Sequence, residues 1–263
     1  VDGLILDCDP TINSRVYEIV QDFDTPHVAI LNPFTDADGH NLIPCVMLDN
    51  YSAGYDSVVY YAESYKDYWG DVELTNNIGL LNMGWSTSPP FVDRINGSAD
   101  AFAEYFPDGK IVEADGVTAG TLNSETGYDL ASQFINANPE IEYWIVFACR
   151  EDYAQGAARF TETTGKADNF LIINVGNQLL PLEFAAGYEG NWHASYGVPN
   201  VAYAGPALCG LIAIADGRAT QDSLWRDQRA EGDICTALYA EPVMVTIDNY
   251  ETFTDDIFAL YEK

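Results

Sequence analysis

Residues 141–175, IEYWIVFACREDYAQGAARFTETTGKADNFLIINV, decide the fold of this chain. A mostly apolar run, Ile141–Ala148, leads into a polar group, Cys149–Asp152, then a segment of helical pattern to about Thr164, then a second apolar run, Phe170–Val175. Short apolar runs of this kind are typical of strands buried on both faces, and a helix between two of them makes the strands parallel. The stretch therefore predicts a strand–helix–strand unit with polar side chains at the carboxyl end of its first strand.

The same alternation extends along the rest of the chain. Strands are predicted near residues 1–6, 27–34, 45–49, 77–84 and 110–114. Helices are predicted near residues 10–23, 53–67, 90–106, 125–137 and 179–186. Strands that alternate with helices of ten to fifteen residues predict parallel sheets covered by helices, an α/β architecture.

Composition and charge narrow the class of protein. The chain has 263 residues, 48% of them hydrophobic, enough for one large core or two smaller ones, and two lobes fit this length better. Eleven Lys and Arg stand against 41 Asp and Glu, a net charge of −30. This charge repels nucleic acids and anionic membranes, so no nucleic-acid partner is predicted.

The motifs of common enzymes and metal sites are missing from the sequence. It contains no GxxxxGK[ST], HExxH or GxSxG, and no GxGxxG follows the first strand. The five cysteines are widely scattered, without metal-ligand spacing. DADGHN at residues 36–41 is faintly similar to a calcium loop but has Met47 at the twelfth position, so a surface turn is expected. No cofactor, metal or catalytic residue is predicted, although an enzyme on an α/β scaffold stays open.

Hydrogen-bonding and aromatic side chains follow the predicted strands. Ligands of open parallel sheets bind beyond the carboxyl ends of the strands. Such groups suit the binding of a polar small molecule. Each of them could instead form an Asx turn, a helix cap or a contact between lobes. The groups at the strand ends are Asp7 and Asp9, Asn32 and Phe34, Asn82 and Trp85, Arg150 to Asp152, and Asn177 and Gln178.

Six segments, in order, resemble the type I periplasmic (solute) binding proteins, the sugar-binding receptors of ABC transporters. VDGLILDCDPTINSRVYEIV followed by TPHVAILNPF resembles the family's "VDG" strand, helix and next strand. LDNYSAGYDSVVYYAESY is similar to its "D-N-x-x-A-G" helix start, and ANPEIEYWIVFACREDYAQGAARFTETTG to its "N-P-x-I" and "N-D-x-x-A" stretch. FLIINVGN, GPALCGLIAIADGR and EPVMVTI match later strands and a helix. The collinearity is more specific than any single motif.

The resemblance implies a two-lobed fold, each lobe a mostly parallel sheet flanked by helices, joined by three crossovers. We expect residues 1–75 and 198–239 in the first lobe and residues 76–197 and 240–263 in the second. In the family, VDG begins the third strand of the first lobe, so a strand–helix–strand–helix segment is expected to be missing before Val1. The ligand is expected to bind between the lobes, which close by a hinge.

The resemblance also implies a noncatalytic function. We expect an extracellular or periplasmic protein, a monomer anchored to the cell surface as a lipoprotein, that delivers a sugar or sugar derivative to the membrane permease of an ABC importer. The alternative is a ligand-sensing domain of a membrane receptor or of a transcriptional regulator with the same fold. The charge of −30 argues against the regulator.

The family's ligand contacts transfer unevenly to this chain. Asn32 falls at a usual polar position, and Asn177 falls near a usual Asp. Arg150 and Glu151 replace the family's Asn and Asp. Phe91 or Val92 stands where sugar binders often have Arg, and Tyr196 or Gly197 at the late crossover. The predicted ligand-binding residues are Asp7, Asn32, Phe34, Trp85, Phe91, Arg150, Glu151, Asn177 and Tyr196.

Arg150 has two interpretations. Its guanidinium could bind a carboxylate or phosphate of the ligand through two parallel hydrogen bonds, which favours a sugar acid or another anion. It could equally form a structural ion pair with Glu151, Asp152 or Asp7. Trp85 and Phe34 are predicted to stack on the ligand, with packing inside their loops as the alternative.

Overall fold

The computed structural model describes residues 1–23 and 25–254. Its strands are β1 Leu4–Leu6, β2 His27–Ile30, β3 Cys45–Met47, β4 Ile78–Gly84, β5 Lys110–Asp115, β6 Tyr143–Ala148, β7 Phe170–Val175, β8 Trp192–Gly197, β9 Ala237–Tyr239 and β10 Val243–Thr246. Its α-helices are α1 Asn13–Gln21, α2 Asn50–Trp69, α3 Pro89–Tyr105, α4 Ser124–Asn136, α5 Glu151–Thr163, α6 Leu179–Ala185 and α7 Asn200–Ala215. The predicted α/β class is confirmed. Two strands, β8 and β9, had not been predicted.

The chain forms two compact units. Unit 1 contains Val1–Asp49 and Val198–Glu241, and unit 2 contains Asn50–Gly197 and Pro242–Phe253. Within residues 1–253 the chain passes between the units three times, as the expected crossovers require. None of the helices in the described part of the chain combines the length and apolarity that crossing a membrane requires.

Unit 1 is built on a four-stranded sheet in the order β1-β2-β3-β9, and every pair in it is parallel. Ala29, Phe34, Ile43 and Cys45 form a buried cluster, and Val16 of α1 packs against it. Helix α7 packs against β1, β2 and β3. The carboxyl ends of β1 and β2 therefore lie side by side, because parallel neighbours end at the same edge of a sheet.

Unit 2 is built on a six-stranded sheet in the order β10-β8-β7-β6-β4-β5, in which the β10–β8 pair is antiparallel. Leu81, Val146 and Ile172 lie side by side on neighbouring strands and share a buried cluster with residues of α4 and α5. Asn82, the next residue along β4, faces the other way and donates from Nδ2 to the Ile95 carbonyl oxygen of α3 at 3.0 Å. Helices therefore cover both faces of this sheet.

Helix α2 belongs to unit 2 because it packs closely against α3. An added Cβ at Gly54 would lie 1.9 Å from the carbonyl oxygen of Arg94, and one at Gly97 would lie 2.1 Å from that of Tyr51. Only glycine permits the two helix backbones to approach this closely. The division between the units consequently falls after Asp49, whereas the boundary expected from the sequence lay between residues 75 and 76.

Candidate functional site

The strand register of unit 2 gathers polar groups at one edge of its sheet. Gly84 of β4 pairs with Asp115 of β5, and Ala148 of β6 pairs with both Met83 and Asn174. Trp85, Arg150 and Asn177 follow these parallel strands and so lie along the same carboxyl edge, which is where open α/β sheets bind ligands. Burial raises the pKa of the Cys149 thiol to about 12. The charges of Arg94, Arg150 and Asp115 also lie near enough to affect this pKa.

Arg150 lies at this edge as the residue before α5. Its Nε lies 2.7 Å from Oδ2 of Asp152, and its side chain is 46% exposed. One of the two interpretations of Arg150, an ion pair with a neighbouring carboxylate, is therefore present. A half-exposed guanidinium held by one carboxylate can still present donors to a ligand.

Glu151 is buried, unlike Arg150, and its carboxylate has protein partners. Its Oε1 accepts hydrogen bonds from the backbone N–H groups of Gln178 and Leu179, both at 2.7 Å. Burial raises the pKa of Glu151, and these hydrogen bonds oppose the shift. The carboxylate thus satisfies N–H groups at the start of α6. The geometry gives Glu151 a positioning role and does not support direct contact with a ligand.

Asn177 is also buried and bonded within the protein. Its Nδ2 donates to the carbonyl oxygen of Gly197 at 3.0 Å, which ties the end of β7 to the end of β8. Gly176, just before it, has φ +126°, a backbone conformation that favours glycine. The structure therefore places Asn177 at the predicted edge, where it is buried and one N–H of its amide group bonds Gly197.

Trp85 and Phe91 lie on the segment that leads from β4 into α3. Trp85 is half-buried, and the following residue, Ser86, donates from its N–H and its hydroxyl to Asp115 at 3.2 and 2.6 Å. The Phe91 ring lies under the guanidinium of Arg94, 5.2 Å from the ring centroid. Trp85 is held in a position from which its ring can contact a ligand, whereas Phe91 serves as a platform for Arg94.

Two residues of this edge were missed by sequence reasoning. Arg94 donates from Nε to Asn50 Oδ1 and from Nη1 to the Cys149 carbonyl oxygen, both at 2.8 Å. Asp115 holds the Trp85–Ser86 segment and also accepts the N–H of Val117 at 3.0 Å. A signal for Arg94 was available, since it is the single basic residue between Lys66 and Lys110.

Tyr196 is half-buried in β8. Its hydroxyl donates to Oδ2 of Asp56 at 3.2 Å. Burial, together with the Asp56 carboxylate, raises the pKa of Tyr196 to about 12. The phenol is therefore neutral and is already bound to α2.

In unit 1, Asn32 and Asp7 follow neighbouring parallel strands. The N–H of Asn32 donates to the Ile30 carbonyl oxygen at 2.7 Å, around Leu31, which has φ +67°. A positive φ is strained for a leucine and is often found at functional sites. The Asn32 side chain is half-buried and bonds no other described residue, and Asp7 is exposed. Both residues are thus available to a ligand.

The position of Phe34 does not fit its predicted role of stacking on a ligand. Its side chain is only 1% exposed and packs with Ala29, Ile43 and Cys45 in the core of unit 1. A ring without an exposed face cannot stack on a ligand. The structure supports the alternative of packing for Phe34, because the ring fills the space beneath the segment that follows β2.

The turn at Asp36–His40 is the one group within residues 1–23 and 25–254 whose ligand atoms lie close enough together for a metal ion. It consists of Asp36, Asp38 and His40, with these atoms within 4.8 Å of one another. Asp36 Oδ1 already accepts the N–H groups of Asp38 and His40, both at 2.9 Å. These hydrogen bonds form a surface turn, as the sequence predicts.

Comparison with known proteins identifies one family. The family model described as "periplasmic binding proteins and sugar binding domain of LacI family" matches residues 1–178 of the 263. No curated protein sequence matches the chain.

Solved structures share the fold at low sequence identity. One is the periplasmic component of an arabinose ABC transporter from Shewanella sp. ANA-3, bound to α- and β-L-arabinofuranose, with TM-score 0.72 and 19% identity, covering 100% of this chain and 80% of that one. Another is an ABC transporter solute-binding protein from Actinobacillus succinogenes 130z with bound D-allose, with TM-score 0.71, 19% identity and coverage of 96% and 81%. A third, from Thermotoga lettingae, is in complex with 5-methylthioribose, with TM-score 0.68, 20% identity and coverage of 99% and 73%.

Proposed function

Because the chain belongs to the family of periplasmic binding proteins and sugar-binding domains of the LacI family, we propose that it captures a sugar or sugar derivative outside the cytoplasm for an ABC importer. The observation that carries the proposal is the set of polar groups at the carboxyl ends of the parallel strands in each unit, together with Trp85 in unit 2, in a chain of this family. The proposal includes no catalysis, and the protein acts as a monomer anchored as a lipoprotein that passes its ligand to a membrane permease.

The proposed ligand contacts are the exposed or half-buried side chains of the predicted set other than Phe91 and Tyr196, whose ring and hydroxyl already contact Arg94 and Asp56. They are Asn32 and Asp7 in unit 1, and Trp85 and Arg150 in unit 2. Hydroxyl-rich ligands need fixed donors and acceptors for orientation, and an aromatic ring covers the apolar face of a sugar. Phe91, Glu151, Asn177 and Tyr196 instead contact other groups of unit 2, and Phe34 belongs to the core of unit 1.

The related solved structures support a sugar as the ligand class. Three of them hold L-arabinofuranose, D-allose and 5-methylthioribose. A role as the effector domain of a DNA-binding regulator is disfavoured by the charge of −30, which repels DNA. A ligand-sensing domain of a membrane receptor would use the same binding groups.

A thermal-shift screen of the purified protein against pentoses, hexoses, sugar acids and nucleosides tests the proposal. A ligand that binds only the folded state at about 100 times its Kd adds about 2.7 kcal/mol to the free energy of unfolding, so Tm rises. We expect a rise with at least one sugar or sugar derivative, and calorimetry then gives its Kd. Absence of any rise across the panel, or chemical conversion of the ligand recovered from the protein, would contradict the proposal.

A further inference from the structure

A cavity of about 160 Å³ lies at the carboxyl ends of β4 and β5 in unit 2. Its apolar wall consists of Trp85, Val92, Ile95 and Ala114. Apolar cavities of about 150 Å³ can take up a molecule the size of benzene. The cavity therefore has room for one ring or a short alkyl chain.

The backbone at the end of β4 keeps this cavity open. A Cβ added at Gly84 would lie 2.8 Å from Cγ1 of Ile95, so any larger residue would displace the Ile95 wall. Trp85 follows immediately, and Asp115 fixes its segment through the two hydrogen bonds from Ser86. The cavity is thus shaped by a glycine and by a fixed loop.

The two carboxylates beside the cavity already accept hydrogen bonds from the protein. Asp115 accepts bonds from Ser86 and Val117. Glu113 Oε1 accepts the Nδ2 of buried Asn82 at 3.2 Å. Arg94, the basic residue of α3, donates hydrogen bonds to Asn50 and to the Cys149 carbonyl oxygen, neither of which lines the cavity. The Trp85, Val92 and Ile95 side chains are left to meet a ligand, and they favour an apolar group.

We propose that this cavity is a subsite for an apolar substituent of the ligand, about the size of a phenyl or butyl group, so that the ligand is a substituted sugar. The inference rests on the proposed function, because the polar part of the ligand is taken to bind along the same sheet edge at Arg150. Val92 and Trp85 are then the residues that set the preference for substituted over unsubstituted sugars.

Calorimetry with matched pairs of ligands tests the subsite. The probes are glucose, galactose, xylose, arabinose and ribose, each with its phenyl and methyl glycosides. For a parent sugar that binds, we expect the phenyl glycoside to bind about 10- to 100-fold more tightly, because its ring leaves water for an apolar wall. The methyl glycoside separates this gain from the effect of blocking the anomeric hydroxyl.

Two variants test whether the tighter binding of phenyl glycosides arises in the cavity. Val92→Phe fills the cavity, and Trp85→Ala removes one of its walls. We expect each variant to reduce the ratio of phenyl-glycoside to methyl-glycoside affinity by at least fivefold, whereas Leu182→Ala, at a residue 66% exposed on α6, leaves it unchanged. Circular dichroism melting confirms that each variant is folded.

The outcomes separate the subsite from the proposed function. Binding of parent sugars with no gain for phenyl glycosides, or a gain that both variants retain, overturns the subsite and leaves sugar binding intact. Failure of every sugar and glycoside to bind overturns both proposals.

Discussion

Nε of Arg150 lies 2.7 Å from Oδ2 of Asp152 at the carboxyl edge of the unit 2 sheet. The two residues lie where the chain passes from β6 into α5, and the ion pair leaves the Arg150 side chain 46% exposed. Exposed ion pairs of this kind contribute about 0–1 kcal/mol to the free energy of unfolding. We therefore expect Arg150 to contribute to ligand affinity rather than to the free energy of unfolding.

Arg150→Ala is expected to weaken sugar binding about tenfold or more, about 1.4 kcal/mol, because it removes donors at the proposed site. The free energy of unfolding should change by less than about 1 kcal/mol. Calorimetry and urea denaturation measure the two effects. Arg159→Ala is the matched control, since Arg159 of α5 is also an arginine that is 44% exposed and lies 2.7 Å from a carboxylate, that of Glu183 in α6. Unchanged affinity in Arg150→Ala excludes a ligand role for this residue.

Asn32→Ala is expected to weaken binding by a similar factor while leaving stability within about 0.5 kcal/mol, since the side chain bonds no other described residue. The turn before it is strained, because Leu31 has φ +67°, and such strain is often found at functional sites. Calorimetry and thermal melting test this expectation. Asn136→Ala, at an exposed residue that ends α4, serves as control. A marked fall in Tm for Asn32→Ala alone would show a structural role instead.

Gly97→Ala is expected to destabilise the protein by about 1–3 kcal/mol, because the new methyl group would force α2 and α3 apart. The neighbouring exposed residue on the same helix supplies the control, and Asn96→Ala should stay within about 0.5 kcal/mol of the parent protein. Urea denaturation midpoints measure both variants. Equal midpoints would mean that the α2–α3 contact tolerates separation.

His193 is expected to make stability fall in mild acid. Burial lowers the pKa of His193 below its ordinary value of about 6.5, and its ring stacks on Tyr68 with centroids 4.8 Å apart. The unfolded chain therefore takes up this proton at a higher pH than the folded protein. Stability contributed by the neutral ring is present above about pH 6.5 and is lost as the pH falls toward the folded-state pKa.

Urea denaturation between pH 7.5 and pH 5 tests the role of His193. In His193→Phe the part of the pH dependence due to this residue should disappear, because phenylalanine preserves the ring stack and does not titrate. Leu182→Ala, at a residue 66% exposed on α6, should retain the slope of the parent protein. An identical slope in His193→Phe and the parent protein would rule out the histidine as its source.

Strand β8 shows why some elements escape sequence reasoning. Trp192–Gly197 contains His, Ser and Gly and lacks the apolar run that marks β6 and β7. It is a strand because it pairs with β7 on one side and with β10 on the other, and because Trp192 Nε1 donates to Asn174 at 2.8 Å. These partners lie at least 17 residues away along the chain, so no local pattern reveals them.

Candidate site residues divide in the same way. The sequence placed Arg150, Trp85 and Asn177 after strands, and parallel pairing brings them to one edge. It could not distinguish exposed Arg150 from its buried neighbour Glu151, because adjacent residues at a helix start face different surroundings. It also predicted stacking for Phe34, whose ring is buried by Ile43 and Cys45.

Sequence by itself determined the alternation of apolar strands and helices, and with it the parallel sheets and the location of the polar groups at their carboxyl ends. These features are local, since the spacing of apolar residues within each short segment indicates whether it forms a buried strand or a helix. Tertiary structure alone decided which unit holds α2, which of the polar groups face solvent, and that Trp85, Val92 and Ile95 line one cavity. Such outcomes depend on contacts between segments distant in the chain, such as that of Gly97 with Tyr51, which no local pattern specifies.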